Sequence, residues 1–492
     1  MDAKIAQLTL GPQIAITGVN LVALAAFVFS PLAHVYPLAM LGIVAFTLVH
    51  LFLPACWVNL DSPVCPGNFA QFFFWVQIVL VPVLIGYYGP SLGTLTHLPP
   101  EHLINFAIGL RVLGYVAFCV GFQLFSKPID PKANYRETVL PNTISSTTLT
   151  IMAAFAGVGL IGWIFNYGGI GGFIAYATSP DEQRLRDEEA ATIAGALGNL
   201  LRHFLGFSIV WTWSEWVQRR NRKDNLIVIA MATASVAALL MLANFSYNRG
   251  NMVAPLLALT AAYSKHVRHI SFGVAAAAGS FLLVVAFVFG EYRSTSMQIS
   301  ELSLSEVTSF GDKQGVVDEI QIYGAGPQLT AFILEGVDSD SNTQQSGTII
   351  SSILYPIPVI GKPFRETSGV IRFNHLIYGD ADNFDQNIPY DAEFYMNFQA
   401  VGVVLGYLLL GFLQSIAQYR FFFARQPIAS YAWLTIGIWI VFPASLPVLS
   451  QICVYSFWPI YGYAFFRTNF NTEPSSTESE KSEAHENSES LQ

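Results

Sequence analysis

The sequence predicts an all-α polytopic membrane protein with about twelve transmembrane helices and one large extracytoplasmic loop. Of its 492 residues, 53% are hydrophobic and only 12% are charged, whereas about 25% of the residues of a soluble domain are charged. The mean hydropathy is +0.47. Several apolar runs reach the length of about 20 residues that crosses a bilayer. The alternating ten-residue segments of a membrane β-barrel are not seen in the sequence.

The apolar runs place the predicted spans along the whole chain. They lie near 13–31, 36–57, 70–88, 103–125, 148–168, 196–217, 225–244, 250–264, 268–289, 395–416, 426–446 and 448–467. The run near 250–264 is the shortest of them. The first run has no convincing small-residue cleavage site, so we expect it to stay in the protein as a span.

The distribution of Lys and Arg predicts the orientation, because cytoplasmic loops are enriched in these residues. The connections that an even count of spans puts inside hold basic clusters, such as RRNRK at 219–223, while the outer loop near 89–102 has neither residue type. Both termini are therefore predicted in the cytoplasm. The long polar segment, Glu291 to Glu393, is predicted to face outward, and loops of this length are usually functional or disordered.

The domain organisation follows from this pattern. We predict a single transmembrane domain over 1–470, which includes the large loop at 290–394, and a disordered acidic cytoplasmic tail at 471–492. The net charge of −9 arises mainly from that loop and tail, and we expect no nucleic-acid partner. The four cysteines have no metal-ligand spacing. We therefore expect neither a metal nor another cofactor.

Arginine occurs where the predicted topology should disfavour it. Arg111 and Arg202 lie inside predicted spans, where a charge usually faces a cavity or a partner. Each could instead pair with a carboxylate or extend to the interface. The guanidinium group matches phosphate oxygens in pairs, so an outward-facing cluster predicts an anionic headgroup such as a lipid-linked diphosphate; ordinary loop solvation is the alternative. The outer segments add Arg184, Arg186, Arg249, Arg365 and Arg372.

The large loop also contains candidate bases. The stretch TIISSILYPIPVIG is apolar but too short to span, which suggests an interfacial or re-entrant element, and its prolines exclude a regular helix in YPIP. An ordinary histidine titrates in a range that suits a general base, which makes His375 a candidate; a loop histidine that makes a local hydrogen bond is the alternative. Asp391 and Glu393 stand at the membrane edge as catalytic candidates; solvation or capping of the next span is the alternative.

Four local features resemble the Wzy-type polysaccharide polymerases, the O-antigen and enterobacterial-common-antigen polymerase family. They are the turn SYNRGNMVAPLLAL, the proline-rich LYPIPVIGKPF, the loop exit EFYMNFQAVGVVLGYLLLGFL, and Arg184 followed by Gly195 with ten residues between. The resemblance covers about residues 150–467. The chain departs from the family pattern at Gln399, where a Gly usually follows Asn-Phe.

The resemblance implies a GT-C-like glycosyltransferase fold in the bacterial inner membrane. It implies polymerisation of undecaprenyl-diphosphate-linked repeat units into a long surface glycan, with membrane lipids, a chain-length regulator and a flippase as partners. It also implies that Arg184, Arg249, Arg365 and Arg372 bind the diphosphate and that His375 or Glu393 is the base. Two alternatives stay open at this point: a ligase-like glycan transferase, and a lipid-linked oligosaccharide flippase or transporter. Transporters often have two related halves, which this sequence lacks.

Overall fold

The computed structural model describes most of the chain between residues 3 and 470. The described residues are 3–53, 56, 59, 62–93, 95–126, 144–178, 193–219, 226–245, 249–275, 277, 317–318, 320–322, 324–339, 347–354, 356–357, 360–364, 367–378, 388–442 and 445–470. Across these ranges the secondary structure is helical, without a β-strand. The predicted tail at 471–492 lies outside them.

Sixteen helices are numbered here in chain order. The N-terminal helices are α1 (Ala3–Val28), α2 (Pro37–Phe52), α3 (Pro66–Tyr88, with a π-helical turn at Val76–Leu80), α4 (Glu101–Phe125), α5 (Ser146–Tyr167), α6 (Gly169–Thr178), α7 (Ile193–Gln218), α8 (Leu226–Ala243) and α9 (Arg249–His266). The large loop contributes α10 (Pro327–Ser339), α11 (Thr348–Leu354) and α12 (Gly369–Tyr378). The chain continues with α13 (Tyr390–Phe423), α14 (Pro427–Val441), α15 (Leu446–Tyr455) and α16 (Trp458–Phe470).

Five of the described helices are long and apolar enough to cross a membrane: α3, α4, α5, α8 and α13. Shorter apolar helices are Gln13–Val28, Pro37–Phe52, Pro427–Val441 and Leu446–Tyr455. This confirms a helical protein of membrane type. The count of twelve spans, the GT-C-like architecture and the position of the termini stay predictions.

One predicted span differs from the described helices, and most of another lies outside the described residues. The predicted span 448–467 is divided, because α15 ends before Ser456 and α16 begins at Trp458. Pro459 accounts for this break: proline has no N–H, clashes with the preceding helical turn and is tolerated at the start of a helix. Within the predicted span 268–289, helix is described over 272–275 and at 277.

Helices α4 and α13 pack closely through glycines on both helices. A Cβ atom on Gly121 would collide with the backbone of Leu408, and a Cβ atom on Gly411 would collide with the backbone of Phe118. Small residues at membrane helix interfaces allow this backbone approach and the dispersion contacts that follow from it. The pair therefore fixes the first residues of α13 relative to α4.

The two largest apolar cores of the described residues share helix α13. One joins α1–α4 with α10 and much of α13. The other joins α7, α8 and α9 with α14–α16 and the end of α13. Helix α5 packs closely on α7, where a side chain at Gly159 or Gly162 would meet the backbone of its neighbour. Helix α13 thus belongs to both cores and leads directly from the large loop into the membrane.

Candidate functional site

Arg111 and Asp391 form a buried ion pair between α4 and the first turn of α13. Arg111 Nε donates to Asp391 Oδ2 at 3.1 Å, and Nη2 lies 3.0 Å from Oδ1 and 2.9 Å from Oδ2. Arg111 also donates to the carbonyl oxygen of Ala325 and, at 3.4 Å, to Thr330 Oγ1. All three guanidinium nitrogens are therefore engaged. The pair joins a candidate span to two parts of the large-loop sequence.

Glu393 lies on a different face of the same helical turn. Two residues in an α-helix differ by about 200° in direction, so Glu393 points away from Asp391 and toward α11 and α12. Its side chain is 0% exposed. Ser352 Oγ donates to Glu393 Oε1, and a Cβ atom on Gly369 would lie 3.0 Å from that oxygen. Glu393 Oε2 has no hydrogen-bond partner among the described residues.

Further hydroxyl and amide groups join α11 to its neighbours near Glu393. Asn397, one turn further along α13, donates from Nδ2 to Thr348 Oγ1 at 2.6 Å and accepts from the backbone N–H of Ile349 at 3.5 Å. Ser351 and Thr367 are joined through their hydroxyls at 2.8 Å. Neutral hydrogen-bonding groups of this kind can orient another hydroxyl compound. They also fasten α11 to the start of α13.

A kink separates the Glu393 turn from the rest of α13. Phe398 has φ −139° and ψ 19°, and Gln399 has φ 54° and ψ −146°. Residues that carry a side chain rarely adopt such a positive φ, so this position favours glycine. Beyond the kink, Gly402 and Gly406 pack against Phe394 from the first turns of the helix. The sequence departs from the family pattern at this same Gln399.

Arg202 is buried without a carboxylate partner in the described part of the chain. Its Nε donates to Asn199 Oδ1 at 2.8 Å, while Nη1 donates to Tyr167 OH at 2.6 Å and to the carbonyl oxygen of Phe245 at 3.1 Å. These acceptors are neutral, so they leave the positive charge without a carboxylate among the described residues. Aromatic rings cover this end of α5 and α8: Trp163, Tyr167, Phe173, Tyr176 and Phe245.

The structure joins some of the predicted site residues directly and gives others different partners. Arg111 joins Asp391, whereas Arg202 belongs to the part of the protein built around α5, α7 and α8. His375 is exposed on α12, six residues after the glycine that contacts Glu393, or about 9 Å along the helix. Arg372 is on α12 and Arg249 begins α9. The remaining predicted residues, Arg184, Arg186 and Arg365, lie outside the described residues.

Sequence reasoning did not single out the polar residues that hold these groups. Ser352 donates to the Glu393 carboxyl group and Asn397 donates to the Glu393 backbone carbonyl oxygen. Tyr167 and Asn199 accept hydrogen bonds from Arg202. A signal was present in the serines and threonine within the apolar TIISSIL, because polar residues in an apolar stretch usually have hydrogen-bond partners. Nothing in the sequence alone identified the partners themselves.

No protein-family model, curated protein or solved structure matches this chain.

Proposed function

We propose that this protein is a membrane-embedded glycosyltransferase that polymerises undecaprenyl-diphosphate-linked oligosaccharide repeat units into a long surface polysaccharide at the outer face of the bacterial inner membrane. The observation that carries the proposal is Glu393. A buried carboxyl group with one oxygen lacking a hydrogen-bond partner is unusual, and this one lies where loop helices α11 and α12 meet α13. Such a group suits proton transfer with a bound hydroxyl.

The proposed reaction transfers the growing glycan to the next lipid-linked repeat unit. A sugar hydroxyl of the acceptor attacks the anomeric carbon of the donor glycan and forms the new glycosidic bond. The bond between that carbon and the diphosphate oxygen breaks, and undecaprenyl diphosphate leaves with the electron pair. The ionised carboxylate of Glu393 takes the hydroxyl proton through Oε2. The Ser352 hydroxyl, which already bonds Oε1, holds the carboxyl group in place.

The leaving diphosphate requires cations in this proposal, because negative charge develops on it as the bond breaks. Arg202 is suited to this role, since its charge has no carboxylate partner among the described residues. Arg111 instead forms an ion pair with Asp391. We therefore propose that this pair positions the start of α13. The other proposed diphosphate contacts are Arg184, Arg186, Arg249, Arg365 and Arg372.

The test is an assay of the purified full chain in liposomes with lipid-linked repeat units as the sole substrate. We expect a ladder of lengthened glycans from the parent protein. Glu393→Gln keeps the side-chain shape but cannot accept the proton, so the ladder should be lost while the protein remains folded. Glu335→Gln is the matched control, because Glu335 is a partly exposed loop carboxylate paired with His97.

Several outcomes would contradict the proposal. A full ladder from Glu393→Gln would remove Glu393 as the base, and loss of the ladder in His375→Ala with a normal Glu393→Gln ladder would transfer that role to His375. Products formed only after a different acceptor is added would indicate a ligase. Movement of the lipid-linked unit across the bilayer without new glycosidic bonds would indicate a flippase.

A further inference from the structure

Helix α11 has the opposite polarity from a helix in a water-exposed loop. Its side chains Thr348, Ser351 and Ser352 are buried. Ile350 is 56% exposed and Ile353 is 43% exposed. A surface helix of a water-soluble segment normally buries its apolar face and exposes its polar face. The outward isoleucines of α11 therefore require a different explanation.

Specific hydrogen bonds fix the direction in which this helix faces. Thr348 accepts from Asn397, Ser352 donates to Glu393, and Ser351 is joined to Thr367. A rotation that buried the isoleucines would break these three contacts and expose the Glu393 carboxyl group. The inverted polarity is thus a consequence of the polar site that α11 covers.

The exposed apolar surface of α11 continues along neighbouring parts of the chain. Ile360, just after the YPIP segment, is 56% exposed. On α13, which is long and apolar enough to cross a membrane, Phe398, Val401 and Leu405 are also exposed. Asn397 links the two surfaces, because it bonds α11 and immediately precedes Phe398. The exposed side of α13 faces lipid if the helix spans the bilayer.

We propose that α11 and Ile360 lie within the membrane leaflet on the side of the large loop, with Ile350, Ile353 and Ile360 in contact with lipid acyl chains. The inference goes beyond the proposed function, because it requires no particular reaction. In this placement, α11 separates the Glu393 carboxyl group from the lipid. A ligand with an apolar anchor can then remain in the bilayer while its polar head reaches the side of α11 that carries Thr348, Ser351 and Ser352.

Site-directed spin labelling of the full chain in liposomes tests this placement. Cys56, Cys65 and Cys119 are buried and Cys453 is partly buried, so the labelled variants are made in a Cys453→Ala background. Nitroxides are attached at Ile350→Cys and Ile353→Cys, and collisions with oxygen, which concentrates in lipid, are compared with collisions with a water-soluble nickel chelate. Val401→Cys is the lipid-facing control. His97→Cys is the water-facing control, since its side chain is 57% exposed in a predicted loop.

We expect Ile350→Cys and Ile353→Cys to match Val401→Cys, with oxygen collisions exceeding nickel collisions several-fold. Nickel collisions as frequent as those of His97→Cys would place α11 in water and overturn the proposal. Low collision rates with both reagents would mean that protein, such as a second copy of the chain, covers this face, which also overturns it. Labelled variants must elute as the parent does in size-exclusion chromatography. The result does not depend on Glu393→Gln activity, so the two proposals can fail separately.

Discussion

Asp391 and Glu393 are two residues apart at the start of one helix, and they meet opposite environments. Asp391 is neutralised by Arg111 through Nε and Nη2. Glu393 is buried against loop helices with one oxygen lacking a partner among the described residues. One carboxylate thus ties the start of α13 to α4, and the other has no cationic partner among the described residues.

Breaking the Arg111–Asp391 pair should destabilise the protein strongly. Arg111→Met leaves a buried carboxylate without its cation, which typically costs about 3–5 kcal/mol. The double variant Arg111→Met/Asp391→Leu removes both charges and should recover much of that loss. Thermal unfolding in detergent measures both changes. As a control, Glu335→Gln removes a partly exposed pair and should change stability by less than about 1 kcal/mol. Equal destabilisation of the single and double variants would contradict a buried, coupled pair.

Gln399→Gly should stabilise the protein, although glycine usually destabilises a helix. The φ of 54° at Gln399 costs a side-chain-bearing residue of order 1–3 kcal/mol, and glycine avoids that strain. Part of the gain is offset because glycine makes the unfolded chain more flexible. Val401→Gly is the matched control at a helical position and should lose about 0.5–1 kcal/mol. A lower melting temperature for Gln399→Gly than for the parent would refute the strained kink.

Replacing Arg202 should weaken the use of a lipid-linked diphosphate. Lysine preserves the positive charge but lacks the planar guanidinium group, which donates to Asn199 through Nε and to Tyr167 through Nη1. We therefore expect Arg202→Lys to raise the KM for the lipid-linked repeat unit about tenfold. Arg202→Gln should have a larger effect. Arg219→Lys is the control, because Arg219 is paired with Glu215 four residues before it. Unchanged KM in Arg202→Gln would show that the leaving group is bound elsewhere.

Lys265 should stabilise the end of α13. Its ammonium group donates to the carbonyl oxygens of Phe421, Phe422 and Ala424. The Phe421 carbonyl oxygen also accepts from the backbone N–H of Ala424, but carbonyl groups at a helix end generally lack a full set of intrahelical partners. Lys265→Met should therefore cost about 2 kcal/mol, as expected for hydrogen bonds from a charged donor. Arg268→Met changes an exposed cation nearby and should remain within about 0.5 kcal/mol of the parent. Indistinguishable melting temperatures for the two variants would exclude the capping role.

The sequence predicted the helical membrane class and the approximate position of most described helices, because long apolar runs have few alternatives to membrane helices. The break before Pro459 was readable in principle, since proline disfavours a continuous helix. The partner of Arg111 could not be predicted, because Asp391 is 280 residues away in the chain. The buried environment of Glu393 likewise depends on α11 and α12, which meet only in the folded structure. Contacts between residues that are far apart in the chain cannot be predicted from composition or periodicity.

The separation of Arg111 and Asp391 has a consequence during synthesis. Translation proceeds at about 5–20 residues per second, so the 280 residues between the two take roughly 14–56 seconds to make. Throughout that interval α4 is present without α13, and its arginine has no counter-ion from this helix. An unpaired guanidinium is unfavourable in hydrocarbon. The nascent protein must therefore hold α4 beside the translocation machinery, water or lipid phosphate until its partner emerges.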